Sequence, residues 1–215
     1  MSQALRFPDS HARDDLLTFA SRSARLADAD VRLVAARGTL AMWAPVLTPR
    51  GLLDSTPTVL ALRALPVDPE LECDLTVAAG SVVAGDDERS VRLPPTATRP
   101  AWAGVTPPRA GWQASHEIAA SDLAARAHDG VSRVAAGLPR DAGADLVHRV
   151  RAEVWAAPVE PWRGLPLGAA FAALSLGFIV GSEQARVFVC GSWTRLSLER
   201  GHVLVRGATM AGPGS

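Results

Sequence analysis

The pattern best suited to chemistry is an interleaving of arginine and aromatic residues near the C-terminus, in ARVFVCGSWTRLSLERGHVLVR. Side chains alternate between the two faces of a strand. That period sends Val187, Val189, Leu196, Leu198, Val203 and Val205 to one face, the expected core face. The opposite face then carries Arg186, Phe188, Trp193, Arg195, His202 and Arg206. Applied to the N-terminal strands, the same period puts Arg32, Trp43 and Arg63 opposite a leucine-rich side. Guanidinium groups set among rings can seat a protein partner on aromatic anchors, or neutralise phosphates and stack bases. The plainer alternative is a solvated sheet face in a chain whose fixed cations are all arginine.

Other motifs specify less. His116-Glu117 begins like the HExxH of zinc proteases, but the fifth position is Ala120, so the pair reads as ordinary surface. GSVVAGDD, from Gly80, has P-loop spacing, yet Asp86 and Asp87 stand where Lys and Ser/Thr belong and would repel phosphate; a hairpin turn is expected. Ser175, in ALSLG, departs from the nucleophile elbow and has no strand before it. The histidines at 11, 116, 128, 148 and 202 form no i, i+4 pair, and Cys73 and Cys190 make neither a CxxC nor a disulfide framework. No catalytic residue, metal or cofactor is predicted. A Ser/His/Asp hydrolase stays open as an alternative, because such triads are scattered in sequence.

Composition excludes further classes. The chain has no Lys, Asn or Tyr, which removes lysine Schiff-base chemistry, a complete Walker A loop and N-glycosylation. The missing types have AT-rich codons, as expected of a GC-biased genome. Lys plus Arg and Asp plus Glu are 22 each, so no net field draws the protein to nucleic acid or an anionic membrane. At 48% hydrophobic and 20% charged, 215 residues can bury a sizeable core. MSQALRFPDSHARDD lacks the apolar stretch of a secretory signal, so a cytoplasmic location is expected.

The residues that could act need elements to position them. Gly164 to Gly181 carries no charge over 18 residues, and as a helix it would reach about 27 Å, marginal for a membrane span. Its Gly and Ala content, with Leu167, Phe171, Leu174 and Phe178 on one stripe, instead predicts a central buried helix from Pro166 to about Val180. An N-terminal helix capped by Asp9 or Ser10 runs to about Asp28. A meander of antiparallel strands follows in VRLVAAR, LAMWAPVL, TVLALRAL and CDLTVAAGSVVAGDDERSVRL, with turns at Gly38 and Gly85-Asp86. Residues 94–112, with five prolines and two tryptophans, read as a connector between an N-terminal part, 1–93, and a C-terminal part, 113–215. One helix from Ser121 buries Leu123, Ala127, Val131, Val134 and Leu138, and another buries Leu146, Val150 and Val154. The C-terminal antiparallel strands turn at Gly191 and Gly201. The expected class is α+β, with mainly antiparallel sheets packed on about four helices.

TPPRAGW, ALSLGFI and SWTRLSLERGHVLVR resemble a family of conserved hypothetical proteins from actinobacteria, for which the resemblance implies no activity or cofactor. The expected function is a non-catalytic, cytoplasmic binding or regulatory module. Its partner is a protein or a second copy; nucleic acid is the less favoured alternative, and no membrane is involved.

Overall fold

The computed structural model describes residues 4–26, 29–51 and 54–207. The chain divides into two compact units, Met1–Val46 with Ala61–Thr106, and Leu47–Leu60 with Pro107–Ser215.

In the first unit β1 (Ala4–Arg6) leads into α1 (Ser10–Ser23). The Asp9 carboxylate accepts the Ala12 N–H at 2.8 Å and so caps the helix. Leu16, Phe19 and Ala20, spaced i, i+3, i+4, are its buried stripe. The helix stops at Ser23, short of Asp28; residues 27 and 28 lie outside the described residues. Strands β2 (Asp30–Ala36) and β3 (Thr39–Leu47) form a hairpin. Arg37 and Gly38 connect them, both at positive φ (53° and 75°), as a two-residue turn matching the strand twist requires. Then come β4 (Thr58–Pro66), whose first three residues count with the other unit, β5 (Cys73–Ala78), β6 (Val83–Ala84) and β7 (Ser90–Arg92). The expected meander is not what forms, because β5 pairs with β2, from Asp30↔Ala78 to Ala35↔Cys73. Likewise β7 returns to β1, giving a small sheet in the order β1-β7-β6. Val31 and Leu33 of β2 are fully buried, while Arg32 between them faces the other way. On that side Thr98 bridges Thr76, and a short 3₁₀ turn at Ala101–Gly104 buries Trp102.

The second unit has β8 (Gln113–Ala119), α2 (Ala120–Ala136), α3 (Ala144–Ala156), the short strands β9 (Pro158–Val159) and β10 (Leu165–Pro166), α4 (Leu167–Ser175), and β11 (Gln184–Cys190), β12 (Trp193–Leu198) and β13 (Gly201–Arg206). Its sheet is antiparallel in the order β13-β12-β11-β8. Four α-helices and antiparallel strands among the described residues make the fold α+β.

The apolar helix is shorter than its uncharged stretch. Gly177 takes φ 71°, the Phe178 N–H reaches the Ala173 carbonyl at 2.8 Å and the Gly177 N–H reaches Leu174 at 3.0 Å, a Schellman stop that ends α4 after nine residues. Within it Ala169, Ala170, Ala172 and Ala173 are all fully buried, so the helix is central as expected. Among the described residues no helix is long and apolar enough to cross a membrane. The stripe on α2 drifts: Leu123, Ala127 and Gly130 are buried, whereas Val131 is 44% exposed. The second C-terminal turn also differs, falling at Glu199-Arg200, with Gly201 already in β13.

Candidate functional site

The register of the second sheet sets the geometry. Phe188, Arg195 and Leu204 lie side by side across β11, β12 and β13, followed by Arg186, Ser197 and His202, and by Cys190, Trp193 and Arg206. All six C-terminal residues expected to share a face therefore do so. At its centre the Arg195 guanidinium lies 4.6 Å from the Phe188 ring centroid and 4.7 Å from that of Trp112, a cation held between two rings. Trp112 is fixed in turn by donating its indole N–H to the Pro108 carbonyl at 3.0 Å. Arg186 sits 5.9 Å from Phe188 on the same face. Arg186 and Arg206 are exposed, and neither forms a salt bridge with a carboxylate among the described residues.

This crowding of positive charge shifts titration. Burial, then the charge of Arg186, pulls the Arg195 pKa down. Burial first, then Arg195 and Arg186, depresses His202, whose Nδ1 lies 3.1 Å from the Ser197 hydroxyl. His116 moves the same way, by burial and then Arg163. The folded chain thus binds fewer protons at these histidines than the unfolded chain does. Stability is then fully present above the ordinary histidine value of about 6.5 and is lost as pH falls from there toward the depressed folded pKa. His202→Gln is expected to flatten the decline in thermal midpoint between about pH 7.5 and 5. An unchanged pH slope in that variant would refute the assignment.

Two of the expected residues, Trp193 and Arg32, lie on the expected face but are already engaged in the fold, and one, Arg63, lies on the other face. Trp193 lies on the arginine face but is only 7% exposed, so it is not available as an anchor; Trp112, which periodicity could not reach, is the half-exposed ring there. Arg32 is cross-strand from Trp43, as the period requires, but it clamps Asp74 through Nε and Nη2 at 2.8 Å each and also donates to the Ala103 carbonyl. That carboxylate raises the Arg32 pKa and Arg32 lowers that of Asp74, the signature of a structural ion pair. Arg63 donates to Asp15 of α1, which puts it on the helix side of β4 with the buried Ala61 and Leu65, not on the opposite face. Its long apolar stem lets a charged residue occupy a core-facing position.

A second feature of this unit lies on the opposite face of the sheet and was not legible in the sequence. Val187, Val189, Thr194 and Val205 form the floor of a groove of about 710 Å³, walled by Pro158, Trp162, Arg163, Leu165 and Pro166. Val189, expected in the core, is 38% exposed here. A β-bulge shapes one rim: Val187 opposes His116 while Phe188 opposes Ala114, leaving Ser115 as the extra residue. The bulge brings the Ser115 hydroxyl to 3.1 Å from His116 Nδ1 and 3.3 Å from Arg163 Nη1, which donates to it. His116 Nε2 is buried and meets no hydrogen-bond partner among the described residues, so no carboxylate orients this Ser-His pair as a triad would need. Arg163 has a left-handed backbone, φ 54° and ψ 40°, a conformation costing a residue with a Cβ about 1–2 kcal/mol.

Comparison with known proteins divides the chain near residue 105, although residues 47–60 count with the second compact unit. Residues 1–104 match Domain of unknown function (DUF8010), and residues 107–210 match Domain of unknown function (DUF8185). The chain resembles sliding clamps in fold. A DnaN sliding clamp (DNA polymerase III subunit beta) from Bartonella birtlesii, solved with griselimycin bound, superposes with a TM-score of 0.53 at 12% identity, over 99% of this chain and 66% of the clamp. The DNA polymerase sliding clamp from Caulobacter crescentus gives 0.51 at 13% identity, over 99% of this chain and 67% of that one. The chain thus spans about two thirds of the length of these clamps. Identity this low establishes likeness of fold alone. No curated protein matches the sequence.

Proposed function

We propose that this chain is a non-catalytic cytoplasmic binding module that docks a protein partner on the arginine and aromatic face of β11, β12 and β13. The observation that carries the reading is the ordered stack Trp112–Arg195–Phe188, flanked by the exposed Arg186 and Arg206, which meet no carboxylate partner among the described residues. Pre-ordered rings at the centre with charged groups at the rim is the arrangement of a protein interface, where anchors supply affinity and charges supply orientation. Arg195, held between rings, orders the platform, and Arg186 and Arg206 are the groups placed to meet acidic side chains.

A grip on nucleic acid has less support. α2 carries Asp122, Arg126, Asp129 and Arg133, and α3 carries Asp145, Arg149, Arg151 and Glu153, so neither helix presents a net positive stripe. The likeness to clamps described as subunits of DNA polymerase III is compatible with a role exercised through protein contacts, and stops there.

The test is capture from native lysate with the wild-type chain and with Arg186→Glu/Arg206→Glu, with and without nuclease. A nuclease-resistant partner that the wild type captures and the double variant loses, with the thermal midpoint unchanged, is the expected result. Capture that vanishes on nuclease treatment, with log K falling by about 0.9 per contacted phosphate against log salt, would transfer the face to duplex nucleic acid. The same partners on both proteins would show the face to be merely solvated.

A further inference from the structure

We propose that the groove over β11, β12 and β13, on the face opposite the arginine stack, binds a small organic carboxylate with an apolar body. Its volume of about 710 Å³ falls within the range of about 300–1,000 Å³ usual for small-molecule sites. The apolar surface of the groove comes from Pro57, Ala156, Pro158 and Val189, backed by the buried Trp162, Leu165, Val187 and Val205, and can take a ring or a branched chain. Among the lining residues Arg163 is the only one with a fixed charge, and none is Asp or Glu. The groove therefore presents one positive charge that nothing on its walls neutralises. An apolar monoanion complements it; a neutral ligand makes no use of the charge, and a phosphate dianion finds a single cation.

Backbone and side chains converge on that charge. Arg163 occupies a left-handed position where glycine would be at ease, so the guanidinium is held at the rim against a conformational cost. The bulge at Ser115 adds a hydroxyl 3.3 Å from Arg163 Nη1, and a carboxylate spanning the two would take a charge-assisted bond from the guanidinium and a second from the hydroxyl. Burial, then the charge of Arg163, lowers the His116 pKa, which disfavours a second positive charge beside the guanidinium.

The test is calorimetric titration of the full chain with 4-phenylbutanoate, with the neutral 4-phenylbutan-1-ol and with inorganic phosphate. The acid is expected to bind at least tenfold more tightly than the alcohol and than phosphate. Arg163→Gly should abolish the preference for the acid while the thermal midpoint stays level or rises, because glycine removes the positive-φ penalty; a residue needed only for folding would not behave so. If that variant loses its cooperative transition, Arg163→Gln serves in its place, and Arg163→Lys should keep part of the preference. Equal binding of acid and alcohol, no binding of either, phosphate as tight as the acid, or an undiminished preference in the Arg163 variants would each overturn the proposal.

Discussion

Trp155→Ala is expected to cost the second unit about 3–5 kcal/mol of stability, read as a fall in the denaturation midpoint at unchanged slope. Trp155 is 1% exposed, the largest of the fully buried side chains, and its ring stacks on Phe171 of α4 at 4.2 Å with an interplanar angle of 19°. Truncation removes that stack and leaves a hole among α2, α3 and α4 that the small residues of α4 cannot fill, since its alanines have no longer rotamers to offer. Trp155→Phe gives the contrast. Trp155 Nε1 is buried and meets no acceptor among the described residues, so the indole carries a desolvated donor that phenylalanine lacks. The phenylalanine variant keeps a ring against Phe171 and sheds the donor, and it is expected to lose less than half as much as the alanine variant. Equal losses in the two would mean that ring stacking contributes little here.

How far the sequence reveals this molecule depends on the range of the forces involved. Period-two alternation is local, and it correctly grouped Arg186, Phe188, Arg195, His202 and Arg206 on one face. It could not say that Trp112, 83 residues before Arg195 in sequence, would close over it, because nothing local records that contact. Pairing order is equally non-local: a strand that could have extended a meander instead adds to β2, and the turn residues between strands do not encode the choice. Alternation also fails where a charged residue snorkels, as Arg63 does to reach Asp15, and where a bulge shifts the phase, as at Ser115. The end of α4 was written in the sequence, in Gly177, but hydropathy concealed it, since the apolar run continues beyond the stop. On α2 the stripe drifts from Val131 to Gly130 because an alanine-rich helix packs where it can approach most closely.

That close approach makes Gly130→Ala a substitution whose local and tertiary effects oppose each other. In an isolated helix alanine would be favoured over glycine by about 0.8–1.0 kcal/mol. At position 130 a Cβ would lie 2.7 Å from Trp155 Cη2, with another ring carbon nearer still, and 3.1 Å from Leu167 Cδ2. The indole is wedged between α2 and Phe171 and has no solvent side toward which to swing, so the helices must separate. Overpacking of this kind typically costs about 1–3 kcal/mol, and a rigid ring pinned on both faces belongs at or above the upper end. The tertiary term wins, and the variant is expected to be about 2 kcal/mol less stable despite its better helix former, lowering the thermal midpoint by roughly 4–8 °C. Ser132→Ala, at an exposed position of the same helix, should leave stability unchanged or slightly raised. Because one ring is the cause, Gly130→Ala/Trp155→Leu should be more stable than the sum of its single variants, the smaller side chain making room for the added methyl. Strict additivity in that cycle would place the clash elsewhere than between Gly130 and Trp155.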